Sequence, residues 1–148
     1  MKKVLILTAG FGDGHNTAAR NVADALELIS DEVKVEVLDV FQSSLGLLND
    51  VLKKAYQGLT RFAPSVWNGI YSMMDTSKGL ENNLLASGNM KDALEQILSQ
   101  SQPDCVVITY PVYAHVIAEI YRDHSERPFR LITVVTDSNA VSSCWFRA

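Results

Sequence analysis

The chain has 148 residues, 47% of them hydrophobic and 20% charged, with a formal net charge of −4. That length and balance suit one water-soluble domain with a sizeable core, and they exclude the broad basic footprint of a general nucleic-acid binder. Cys105 and Cys144 have no paired metal-ligand spacing, so two reduced thiols in a cytoplasmic protein is the plain expectation, with no metal site.

The predicted elements begin with a strand over Lys2–Leu7, a short apolar run that glycine and polar residues soon interrupt. It reads as neither a signal peptide nor a membrane span, so any membrane role would be peripheral. A helix follows from about Gly14 to Ile29, with Ala18, Ala19, Val22, Ala23, Leu26 and Ile29 on one face. The run Val33–Val40 alternates and then turns apolar, which predicts a second strand. Strand, helix, strand in this order implies a right-handed parallel crossover.

Residues 42–75 form a helical excursion where a compact α/β unit would have a short connection. Leu45, Leu48, Leu52, Tyr56 and Leu59 recur at helical spacing, Pro64 interrupts, and Val66, Trp67, Ile70, Tyr71 and Met74 resume the pattern. Beside these stand Lys53, Lys54 and Arg61. Such a face would either pack on the sheet or lie in a membrane interface, its aromatics in the acyl boundary and its lysines toward headgroups. Asp75 follows at the head of a polar stretch.

Asn89 reads as the N-cap of a helix to Gln100, with Met90, Ala93, Leu94, Ile97 and Leu98 inward. Cys105–Thr109 is the third strand. Pro111 opens the next helix, which carries His115, a residue more often found satisfied in a core than catalytic. Tyr110 and Tyr113 fall near the carboxyl end of the third strand, where parallel sheets bind ligands. Phe129–Thr136 is the fourth strand, and Asp137 stands at its end. Residues 142–148 finish on Trp145 and Phe146 without a closing helix, as in a chain cut mid-fold or one that completes itself against another domain.

The chemistry concentrates in Thr8-Ala9-Gly10-Phe11-Gly12-Asp13-Gly14-His15-Asn16. A chain that leaves a strand and enters a helix within so few residues needs the freedom of glycine, and the helix start favours an anion. His15 therefore sits beside bound negative charge or a reacting hydroxyl, or else merely caps the turn. The spacing matches neither nucleotide fingerprint: the third glycine comes one residue early for G-x-G-x-x-G, and Gly14 is not followed by Lys and Ser or Thr. Asp39 could stand where a ribose-binding acid would, although Asp commonly ends strands in such folds. The carboxyl ends of adjacent parallel strands converge on one crevice, so His15 and Asp137 are expected to face one ligand.

Four ordered motifs carry a resemblance. They are Val4–Ala9 with Gly12-Asp13-Gly14-His15 and Ala18-Ala19; Tyr56, Pro64, Trp67 and Tyr71; Pro103–Thr109; and Thr133–Asp137 followed by Trp145-Phe146. Together they resemble the N-terminal domain of the monogalactosyldiacylglycerol synthases and processive diacylglycerol glucosyltransferases, which are GT-B glycosyltransferases. Tyr110-Pro111 stands where that family often has His-Pro, and Ser142-Ser143-Cys144 where many relatives have His-Pro before the tryptophan.

The resemblance implies a Rossmann-like parallel sheet of about four strands with helices on both faces, the N-terminal half of a GT-B fold. It implies that residues 1–148 are the acceptor-binding domain, with the UDP-sugar co-substrate on a C-terminal domain absent from this chain. No other cofactor is implied. An isolated domain of this kind would not transfer sugar. His15 and Asp137 are the implied catalytic pair, with Asp75 a remote alternative base. Gly12, Asp13, Gly14, Asn16 and Tyr110 would bind acceptor or anion. Lys53, Lys54, Trp67 and Tyr71 would touch an anionic membrane bearing a diacylglycerol acceptor, at the cytoplasmic side. Two other readings stand beside this one: a non-catalytic Rossmann-like phosphate- or nucleotide-binding module, and an interaction domain that pairs with a partner or a second copy through an exposed end at Trp145 and Phe146.

Overall fold

The computed structural model describes residues 1–11, 13–45, 54, 58, 61, 88–137, 141 and 145, the side chains of 43–45, 88 and 89 aside. In chain order the elements are β1 (Lys2–Thr8), α1 (Asp13–Ile29), β2 (Val33–Asp39), α2 (Val40–Leu45), α3 (Gly88–Ser101), β3 (Cys105–Ile108), α4 (Val112–Ile120) and β4 (Arg130–Thr133).

The four strands form one sheet in the order β2-β1-β3-β4. Every pairing is parallel. This is the expected Rossmann-like α/β arrangement, consistent with the N-terminal half of a GT-B fold. β1 is central because its side chains are apolar on both faces, whereas β2 alternates, leaving Lys34 and Glu36 exposed. The period of two divides β1 between two cores. Leu5 and Leu7, with Val106 and Ile108 of β3, pack against Val40 and Phe41 of α2, Met90, Leu94 and Leu98 of α3, and Val112, Val116 and Ile117 of α4. Ile6 and Val107 face the other way, onto Ala19 and Ala23 of α1. Each fully buried Leu or Ile contributes about 1.5–3 kcal/mol relative to exposure. Small alanines let α1 lie close to the sheet.

Several boundaries differ from the sequence expectation. Val40 does not extend the second strand. It opens α2, because Asp39 caps that helix: its Oδ1 accepts from the Gln42 backbone N–H at 3.1 Å. α3 starts at Gly88, so Asn89 is its second residue and not the residue before it. Ile29, expected on the inward face of α1, is 80% exposed. The fourth strand is shorter than expected, Arg130–Thr133, although Val134 N–H still donates to the Ile108 carbonyl at 2.9 Å. Just after α3, Gln102 takes the left-handed region, φ 44°, with Pro103 next to prevent continuation.

Of the 42–75 excursion, Lys54, Gly58 and Arg61 are helical, and Lys54 and Arg61 are exposed. Lys53, Trp67, Tyr71 and Asp75 lie outside the described residues. Among the described residues no helix is long and apolar enough to cross a membrane.

Candidate functional site

The strand order creates the site. From β1 the chain moves outward to β2 on one side, while β3 and β4 lie on the other. Loops leaving β1 and β3 therefore diverge and open a crevice at their carboxyl ends, the position at which such sheets bind ligands. α1 starts there, and its third residue is His15.

The imidazole is tightly held. Nδ1 lies 2.6 Å from the Thr109 carbonyl oxygen and 2.8 Å from Thr136 Oγ1. A carbonyl only accepts, so the Thr109 contact requires the proton on Nδ1. In the neutral ring the lone pair then belongs to Nε2, which points away from both threonines. The Tyr110 ring packs edge-on against the imidazole at 5.0 Å between centroids, and Trp145 stands at 6.4 Å. Burial is the dominant influence on His15 and pulls its pKa below the ordinary 6.5. The Thr109 bond and the charge of Asp137 oppose that shift.

Asp137 lies close enough to His15 for its charge to act on the ring, and its Oδ2 accepts from the Trp145 indole N–H at 2.7 Å. Trp145 is only 4% exposed, so it is not the open apolar end on which the interaction-domain reading relies. Phe146 lies outside the described residues.

Other expected site residues divide. Tyr110 belongs to the crevice wall, stacked on Phe11 at 5.8 Å and edge-on to Phe41 at 5.5 Å. Asn16 is tied down, its Oδ1 accepting from the Thr8 hydroxyl at 2.9 Å. Asp13 and Gly14 are exposed in the first turn of α1. A Cβ at Gly14 would meet nothing within 4 Å and the residue is helical, so Gly14 answers neither a close approach nor a special φ. Gly12 lies outside the described residues.

Asp39 departs from the ribose-acid role. Its Oδ2 accepts from Gly10 N–H at 2.9 Å while Oδ1 caps α2, so the carboxylate fixes two turns. Tyr113, expected near ligand, is buried instead. Its hydroxyl donates to the Thr8 carbonyl at 2.7 Å and accepts from Val40 N–H at 3.1 Å. Burial pushes its pKa well above the usual 10, so it remains a neutral hydroxyl.

Sequence reasoning missed Thr109 and Thr136 as partners of His15, and Phe11 and Phe41 as crevice aromatics. The available signal was positional: each threonine follows an apolar strand run at its carboxyl end. Two cavities, of about 200 Å3 beside Lys34 and Glu36 and about 570 Å3 beside Tyr121 and Arg127, lie away from this crevice. Among the described residues no group of three His, Cys, Asp or Glu side chains could hold a metal ion.

Comparison with known proteins places the chain in a family. A family model described as monogalactosyldiacylglycerol (MGDG) synthase matches residues 15–148. The chain is 27% identical over 138 residues to a processive diacylglycerol beta-glucosyltransferase of Bacillus pumilus, covering 92% of this chain and 34% of that protein. It is 26% identical over 148 residues to a probable chloroplastic monogalactosyldiacylglycerol synthase of Glycine max, covering 98% and 28%. Against monogalactosyldiacylglycerol synthase 1 of Arabidopsis thaliana the figures are 25% over 148 residues, 98% and 28%. The chain thus spans about a third of the length of these curated relatives. No solved structure matches significantly.

Proposed function

The chain belongs to the monogalactosyldiacylglycerol synthase family, and from that premise we propose that it is the acceptor-binding part of an inverting glycosyltransferase that moves a hexose from a UDP-sugar to diacylglycerol. It works as a peripheral protein at the cytoplasmic face of an anionic membrane, and a C-terminal domain outside this chain binds the donor. The carrying observation is His15 at the switch-point crevice, its Nδ1 on the Thr109 carbonyl at 2.6 Å and its Nε2 lone pair left for a hydroxyl. The relatives' names lend support, because they have diacylglycerol in common and differ in the sugar.

In this reading Nε2 of His15 removes the proton of the acceptor hydroxyl as that oxygen attacks the anomeric carbon. A carbon–oxygen bond forms on one face of the sugar. The bond to the diphosphate breaks on the other, and UDP leaves with the electron pair, which inverts the centre. Burial favours a neutral imidazole ready to accept the proton, and the Asp137 carboxylate then steadies the imidazolium. In this proposal Asp137 is the supporting charge, its field acting on His15 while its Oδ2 accepts from the Trp145 indole N–H. The first turn of α1, with Gly14 and Asn16, borders the headgroup region, and Tyr110 lines the acceptor path. Lys53, Lys54, Trp67 and Tyr71 form the membrane contact.

Vesicle flotation tests the proposal. The chain should float with anionic phospholipid vesicles, more strongly when they contain diacylglycerol. Combined Lys53→Ala, Lys54→Ala and Trp67→Ala substitution should abolish the association. Failure to float, or undiminished flotation of the triple variant, would overturn the membrane part of the reading.

A further inference from the structure

Nδ1 of His15 has two oxygen neighbours where one would satisfy it: the Thr109 carbonyl at 2.6 Å and the Thr136 hydroxyl at 2.8 Å. The two come from the carboxyl ends of neighbouring strands, β3 and β4, and grip the ring from the sheet side. Thr136 directly precedes Asp137, whose carboxylate is turned to Trp145. Consecutive residues thus serve the imidazole and the indole that flanks it.

We propose that Thr136 is a positioning residue for His15, its hydroxyl oxygen sharing the Nδ1 proton with the Thr109 carbonyl and holding the ring with Nε2 toward the crevice. A single acceptor fixes the tautomer but leaves the ring free to swing about that bond. A second acceptor from another strand removes the swing. It also acts on basicity, because an Nδ1–H bonded to two oxygens stabilises the imidazolium more than the neutral ring. In many sites a carboxylate fills this place at Nδ1. Here a carbonyl and a hydroxyl, both uncharged, fill it, and Asp137 contributes through its field. Tyr110, the ionisable ring facing the imidazole from the turn before α4, packs edge-on. The catalytic meaning of this arrangement rests on His15 being the proton acceptor proposed above, whereas the geometry itself is testable without any sugar or lipid.

The test is imidazole 15N NMR of the full 148-residue chain, in which three histidines make assignment by a His15→Gln variant direct. Wild type should show Nδ1 protonated and Nε2 unprotonated above the His15 midpoint. Thr136→Val, nearly isosteric, should lower that midpoint by about half a pH unit or more and give a mixed or broadened tautomer signal. Thr136→Ser should restore both, which a packing role for the threonine methyl would not allow. A wild-type ring protonated on Nε2, or a Thr136→Val chain with unchanged midpoint and tautomer, would overturn the proposal. If Thr136→Val proves unfolded by its amide spectrum, the wild-type tautomer and the Thr136→Ser midpoint still decide it. Failure of vesicle flotation alongside the expected 15N pattern would count against the glycolipid reading alone.

Discussion

His15 is where burial and charge compete. Desolvation lowers its pKa below 6.5, and the Thr109 bond and Asp137 offset only part of that. A folded-state pKa below the unfolded value means that the unfolded chain binds the extra proton first. The neutral ring therefore supports folding fully above pH 6.5, and this support is lost as pH falls through the folded pKa. Urea melts at pH 7.5 and pH 5.5 should show a drop in midpoint on acidification that is smaller in a His15→Gln chain. Equal drops in the two proteins would mean that the imidazole does not titrate as its burial requires. Gly14 teaches a different lesson at the same scale. It looks like a conformational necessity in the turn, yet it is helical and a Cβ there would meet nothing within 4 Å.

Among elements, α4 does more than cover the sheet. Tyr113 reaches from it to the turn after β1 and the start of α2, bonding the Thr8 carbonyl and Val40 N–H at once. Asp39 binds the same two turns from β2, through Gly10 and Gln42. The loops that shape the crevice are thereby braced by the buried Tyr113 hydroxyl and the partly buried Asp39 carboxylate. Tyr113→Phe removes both of these buried hydrogen bonds and should cost about 1–3 kcal/mol, read from the denaturation midpoint at constant slope. A cost near zero would show that the two backbone groups find other partners. The helix periodicity in α3 anticipates its inward residues well: Met90, Leu94 and Leu98 are buried and Ala93 and Ile97 pack beside them. In α1 the same kind of stripe misjudges Ile29, which is exposed.

At the scale of the whole molecule, the crevice has a wall and a floor from this chain, and the relatives it resembles are about three times as long. The proposed donor site belongs to the remainder. Calorimetry of this chain with UDP-hexose should accordingly show little or no binding, while micromolar affinity would favour the nucleotide-binding alternative. The alternation of strands and helices, the glycine-rich turn with its histidine, and an acid shortly after the last strand are legible in the residues alone. These are local signals, carried by periods of 2 and 3.6 and by turn chemistry. Only the tertiary structure decided that β3 lies between β1 and β4, which brings Thr109 and Thr136 to His15 across 94 and 121 residues. The strands differ in length, seven residues in β1 and β2 and four in β3 and β4, yet nothing within a strand encodes its neighbour. Strand order, and with it the state of the imidazole, emerges from how the two faces of the sheet are covered together.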